Sequence, residues 1–158
     1  FNHCRKVKYT VIRDNQEKAN RWEFAKTDIC QGMIEKHLIT GDYTLCGLED
    51  VFIVEKKSST GEISKNIFDL AFEKELIRME QFIYPFVICE FTIEDIFRFP
   101  FDSGIPQKFW KKLHVNNHVI LKRINEFQLK YKTKWIFAGN YGQEVSEDLF
   151  KRVLQLVK

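Results

Sequence analysis

Proline and glycine are scarce, at 3 and 7 among 158 residues. So little punctuation argues against a collagen-like chain or a low-complexity linker, and no internal repeat is visible. Also missing is any apolar run near the ~20 residues that a membrane helix needs. The opening residues, Phe1 to Lys8, are polar and basic with no apolar h-region, so no secretory leader is expected there. The cysteines are Cys4, Cys30, Cys46 and Cys89, and none forms a CxxC pair, which excludes a zinc ribbon or a small disulfide scaffold. Free thiols in a reducing compartment (cytoplasm, or nucleus in a eukaryote) are the expectation. Neither sign of charge dominates: 25 Lys and Arg against 22 Asp and Glu leave +3. That balance excludes a basic tail and permits a polyanionic partner without demanding one. What the chain has in quantity is aromatic bulk, 15% of residues with 15 Phe, inside a hydrophobic total of 44%. One domain with one sizeable core is expected over residues 1–158.

Lys8 to Asp14, with Val11 and Ile12 together, reads as a strand. From Asn20 to His37 the three-to-four spacing of Trp22, Ala25, Ile29, Met33 and Ile34 predicts a helix. Leu38 to Leu45 reads as a strand bent at Gly41, and with Val51–Lys57 it predicts a β-hairpin. A loop at Ser58–Gly61 and one long helix over Ser64–Phe82 follow. Tyr84–Phe91 is a continuous apolar run suited to a strand covered on both faces. Thr92 and Asp95 have capping-box spacing, and Phe99–Pro106 reads as a loop. A helix over Asn116–Lys130, a strand over Lys134–Ala138 and a helix capped by Ser146 complete the chain. The order is that of an α/β domain, one mixed sheet with helices on its faces.

Chemistry-bearing residues collect at the ends of these strands: Asp14 and Glu17, Asp42, then Glu55 and Lys57. Alternation puts Glu55 and Lys57 on one face of their strand and Lys56 on the other. Val51–Val54 leads from four apolar positions directly into charge. A buried Glu55 without a partner would cost several kcal/mol, roughly, so it needs a cation or a wet cleft. Hydrolysis of a phosphodiester calls for this chemistry: carboxylates that hold an oxygen-ligated divalent cation, and a group that orients the attacking water. A lysine two residues from a glutamate suits the second task.

Gly41-Asp42-Tyr43 … Val54-Glu55-Lys56-Lys57-Ser58 resembles the GDY … V-E-R-K-S signature of the XPF-family (ERCC4-type) structure-specific endonucleases, a branch of the PD-(D/E)xK nucleases. Asp14-Asn15-Gln16-Glu17 is similar to that family's D-x-R-E, and Tyr84–Phe91 to its Y-x-x-P-V-L-L-I-E-F strand. The resemblance implies a restriction-endonuclease-like mixed central sheet flanked by helices on both faces. It also implies Mg²⁺-dependent cleavage of DNA at branches, flaps or other non-duplex sites, with Mn²⁺ able to substitute. Carried over by position, Asp42 and Glu55 would be metal ligands, joined by the main-chain carbonyl of Lys56 and by Asp14. Lys57 would be the catalytic lysine, and Asp14 and Glu17 would complete the acidic cluster. A homo- or heterodimer through the nuclease domain is a further implication.

The sequence departs from the family in four places. Lys56 replaces an arginine, and the stretch after Lys57 is one residue longer. The family's R-L-x-x-Q appears as Ala71-Phe72-Glu73-Lys74-Glu75, which removes two polar groups expected to support the site. No tandem helix-hairpin-helix module occurs in these 158 residues.

Lys108, Lys111 and Lys112, interleaved with Phe109 and Trp110, form a candidate nucleic-acid contact in which Trp110 stacks on an unpaired base. Lys122, Arg123, Lys130, Lys132 and Lys134 form a second basic surface. His114 and His118 have helical zinc spacing but straddle the expected start of a helix. The rival reading is a non-catalytic nuclease-fold subunit that binds DNA or supports a repair or recombination complex; retention of both acids and the lysine speaks against it. Action on RNA or on single-stranded DNA is a further alternative, because a phosphate-directed site reads no sugar.

Overall fold

The computed structural model describes residues 7–18 and 20–157. Cys4 and the first residues lie outside that range. Six strands form one sheet: β1 (Tyr9–Asp14), β2 (Cys30–Lys36), β3 (Tyr43–Leu45), β4 (Phe52–Lys57), β5 (Tyr84–Cys89) and β6 (Lys134–Phe137). Their order is β2-β1-β3-β4-β5-β6. β3 runs antiparallel to both β1 and β4, while β1–β2, β4–β5 and β5–β6 are parallel pairs. Five helices are described: α1 (Thr60–Asn66), α2 (Leu70–Met79), α3 (Ile93–Phe97), α4 (Asn117–Lys130) and α5 (Gly142–Leu156).

Alternation along β4 and β5 divides the core in two. Ile53 and Val87 face α1, α2, α3 and α4, where they meet Ile63, Leu76, Ile96 and Phe127. Phe52, Val54, Phe86 and Ile88 point the other way, toward Phe150 and Val153 of α5 and toward Trp22 and Tyr43. Both faces are thus covered, which explains why β4 and β5 read as continuous apolar runs. The result is the α/β restriction-endonuclease-like architecture.

β5, the Thr92–Asp95 capping box, the Asn116 cap and β6 appear where the sequence put them, and the hairpin does so with its first strand shortened from Leu38–Leu45 to Tyr43–Leu45. The helix expected over 20–37 does not form. Asn20 and Gly32 adopt positive φ values of 49° and 105°, and Trp22 and Phe24, two residues apart, are both buried. The Trp22 ring stacks on Tyr43 at 4.7 Å, and its main-chain N–H donates to the Tyr43 hydroxyl at 2.8 Å. β2 then adds to the free edge of β1, and Ile34 remains 45% exposed. Sheet-edge pairing therefore outweighed an accidental helical spacing.

The long helix expected over 64–82 is two helices. Asp69 caps α2 by accepting the Ala71 N–H at 2.8 Å, and the break leaves Phe68 exposed rather than in the core. Of the loop expected at 58–61, Thr60 and Gly61 instead open α1, with Ser59 as its N-cap. Ser146 caps nothing: it lies buried inside α5 and donates to the Gly142 carbonyl at 2.9 Å. Cys30, Cys46 and Cys89 are free thiols, of which Cys46 is exposed.

Candidate active site

Three adjacent strands bring the acidic residues together. β1 ends at Asp14 and β3 begins just after Asp42; the Asp14 N–H donates to the Asp42 carbonyl at 2.8 Å. Asp42 is tied to β4 as well, since its N–H donates to the Val54 carbonyl at 2.8 Å and its Oδ2 accepts the Lys56 N–H at 2.7 Å. This approach depends on Gly41, whose φ is +80° and where a Cβ would lie 2.2 Å from Ile53 Cγ1. The bend read from the sequence at this glycine is the device that aims Asp42. An open cleft of about 370 Å³ results, with Asp14, Glu17, Asp42, Glu55 and His37 among its lining residues.

Glu55 and Lys57 share a face, as alternation required, and Lys57 Nζ lies 3.2 Å from Glu55 Oε1. Glu62 of α1 approaches the same ammonium at 3.6 Å, and the Phe72 ring lies under it at 4.5 Å. Lys56 projects to the opposite face. There its Nζ donates to the Asn20 carbonyl at 2.6 Å and lies 3.6 Å from both Glu17 and Glu90.

Electrostatics set these groups apart from surface charge. Burial, reinforced by the nearby Glu17 carboxylate, pushes Asp42 up to about 7 against the pull of the Lys56 N–H. Glu55 rises well above the usual carboxylate range through burial, with Asp42 and Glu75 adding to it and Lys57 opposing. Glu17 is raised by burial in spite of Lys56. Burial also works against the Lys57 ammonium, but the Glu55, Glu62 and Glu75 carboxylates outweigh it and raise its pKa. Lys57 therefore stays protonated near neutral pH.

Asp14 is buried and partly committed, because its Oδ1 accepts the Leu38 N–H at 2.8 Å. Glu17 faces the cleft while pairing with Lys56. Glu75 is the residue the sequence reading missed. The departure that seemed to strip polar support from the site in fact supplies a carboxylate from α2, which lines the cleft and accepts the Gly41 N–H at 3.1 Å. Its spacing from Phe72, one turn away on the buried side of α2, was the available signal.

The donor set suits a hard divalent cation: carboxylates, Glu55 buried and Asp42 half-buried, whose ionisation is disfavoured gain from a cation, and oxygen ligands fit Mg²⁺ or Mn²⁺. Among the described residues, no three Asp, Glu, His or Cys side chains form a ready-made metal cage. Asp42 and Glu55 would have to be completed by main-chain oxygen, water or substrate. Mg²⁺ commonly keeps such partners.

The candidate nucleic-acid contacts lie apart from these acids, on a 3₁₀ turn over Gln107–Lys112. Lys108 and Lys111 are exposed. Trp110 is half-buried: its Nε1 donates to the Ile105 carbonyl at 2.9 Å and its ring makes an edge contact with Phe101 at 5.0 Å. On the second basic surface, Lys122 and Arg123 pair with Glu126, and Lys130 pairs with Glu73, so their charge is largely answered within the protein. His114 and His118 straddle the start of α4, as the sequence suggested. No helix of the described residues is long and apolar enough to cross a membrane.

No protein-family model and no curated protein matches the sequence. Solved structures do. XPF from Aeropyrum pernix superposes with a TM-score of 0.60 at 18% identity, over 92% of this chain and 65% of that one. XPF from Aeropyrum pernix in complex with DNA gives 0.60 at 19% identity, over 96% of this chain and 67% of that one. This chain thus spans about two thirds of the length of the XPF chains it resembles. At that identity the likeness bears on architecture, and it agrees with the six-stranded mixed sheet and its helices: the chain has the XPF-type nuclease fold.

Proposed function

We propose that the protein is a metal-dependent DNA endonuclease that hydrolyses phosphodiester bonds, acting at branched, flapped or otherwise non-duplex DNA. The observation that carries the reading is the convergence of Asp42, Glu55 and the protonated Lys57 at the end of adjoining strands, beside an open cleft. That a structural neighbour is recorded in complex with DNA favours DNA as the substrate.

Asp42 and Glu55, with the Lys56 main-chain carbonyl, would hold Mg²⁺, and Asp14 and Glu17 would shape the field around it. The bound cation would supply Lewis-acid stabilisation of charge building on the phosphate oxygens. Lys57, kept charged by Glu55 and Glu62, is a donor rather than a base. It would orient the attacking water through Nζ and offset negative charge as the water, giving up a proton to solvent, bonds to phosphorus, the opposite ester bond breaks and the departing oxygen takes a proton from solvent. Glu55 thus has two duties, holding the cation and fixing the lysine.

The test is incubation with labelled duplex, single-stranded, flap and splayed-arm DNA in Mg²⁺, Mn²⁺ or EDTA. Cleavage of the branched substrates with either metal, abolished by EDTA and by Asp42→Asn, supports the reading. Cleavage that persists in EDTA or in Asp42→Asn contradicts it, and tight binding without cleavage of any substrate replaces it with a DNA-binding scaffold.

A further inference from the structure

A second, larger groove of about 650 Å³ lies between α1 and the segment 103–113. Its size falls within the roughly 300–1,000 Å³ of small-ligand sites. The two walls meet where the Gly61 N–H donates to the Ser103 carbonyl at 3.2 Å. A Cβ on Gly61 would lie 2.3 Å from that oxygen, so the two segments touch here.

One wall is apolar, formed by Ile105, Pro106 and Phe109, and the Phe109 ring is 44% exposed. Trp110 holds this wall in place through its bond to the Ile105 carbonyl. The rim is basic: Lys65 of α1 lines the groove, and Lys108 places its Nζ 5.0 Å over the Phe109 ring. Lys111 and Lys112 are exposed on the same turn. An aromatic face with ammonium groups beside it suits a flat apolar ring that carries an anion. Glu62 also lines the groove, and it lies 3.6 Å from Lys57 Nζ. Glu62 thus belongs both to the groove lining and to the surroundings of the candidate catalytic lysine.

We infer that this groove takes an unpaired deoxynucleotide adjoining the bond to be cut, its base against Phe109 and its phosphate met by Lys65 and Lys108. The inference rests on the nuclease reading and gives it a source of preference for non-duplex DNA. A base inside an intact duplex is already stacked and does not present its face to Phe109, whereas a base at a flap or splayed end does.

The experiment measures binding in EDTA of a short single strand carrying 2-aminopurine, and of a blunt duplex of the same sequence. Wild type and Phe109→Trp should quench the 2-aminopurine. Phe109→Ala should lose the quench and about tenfold in single-strand affinity, the scale of one base–aromatic stack, with duplex affinity unchanged. Unchanged quench and affinity in Phe109→Ala, or equal losses on both DNAs, overturn the inference; if that variant still cleaves in Mg²⁺, the nuclease reading stands without it. If wild type neither binds nor cleaves any DNA, both fall together.

Discussion

Asp42→Asn should make the metal-free protein more stable, and by an amount that depends on pH. The Asp42 carboxyl titrates near 7 in the fold against an ordinary value of 3.8. Between those values the unfolded chain has released a proton that the folded chain still holds, so stability falls as pH rises from about 4 to about 7 and levels off above it. The full displacement corresponds to at most about 4 kcal/mol. Glu55, also displaced upward by burial, adds to the fall. Asparagine keeps an oxygen for the Lys56 N–H, now accepted at 2.7 Å, and carries no charge. The difference in unfolding free energy between variant and wild type should therefore grow by up to about 4 kcal/mol from pH 4 to pH 7. Urea denaturation in EDTA across that range measures it. Mg²⁺ should then restabilise wild type more at pH 8 than at pH 5, by about 2.7 kcal/mol at a hundredfold excess over its dissociation constant, and leave the variant unmoved. Parallel curves for the two proteins, or a wild type whose stability gains on the variant as pH rises, would refute the reasoning.

Lys57→Ala removes the ammonium that faces Glu55 at 3.2 Å; it should cost about 3–5 kcal/mol in EDTA and lower cleavage about 10²- to 10⁴-fold. Near-native initial rates on flap DNA would count against its role. Glu75→Gln keeps an acceptor for the Gly41 N–H while removing a carboxylate that bears on Glu55. Its metal-free melting temperature should rise by about 2–4 °C, or roughly 1 kcal/mol, and its Mg²⁺ affinity by calorimetry should weaken; a lowered melting temperature would show that the charge at 75 stabilises the apo site. Asp14→Ala leaves the Leu38 N–H without its partner and should cost about 1–3 kcal/mol, with Asp14→Asn recovering most of it in urea midpoints; equal losses in the two variants would place the role of Asp14 elsewhere.

The central strands were legible because burial on both faces writes a simple code: Val51–Val54 and Tyr84–Cys89 are apolar throughout, and only a covered sheet asks for that. Gly41 and the Glu55/Lys57 alternation were legible for a related reason, since local geometry alone fixes where those side chains point. What misled was pairing between distant segments. Trp22 and Phe24 bury against Tyr43, and β2 docks on β1, through contacts that no local spacing records. Glu75 was half legible: its spacing from Phe72 put it near the buried side of a helix, but the packing of α2 is what turns it toward Gly41 and Glu55. The anchoring of Trp110 was not legible either, because its bond to Ile105, five residues earlier, depends on a turn the sequence did not disclose.

The account depends on one cation held between β3 and β4. Crystals soaked in Mn²⁺ and measured at the manganese absorption edge test this directly. The expected result is a dominant anomalous peak bounded by the Asp42 and Glu55 carboxylates, with Lys57 alongside. A peak bound only elsewhere, or an empty cleft at saturating Mn²⁺, contradicts it.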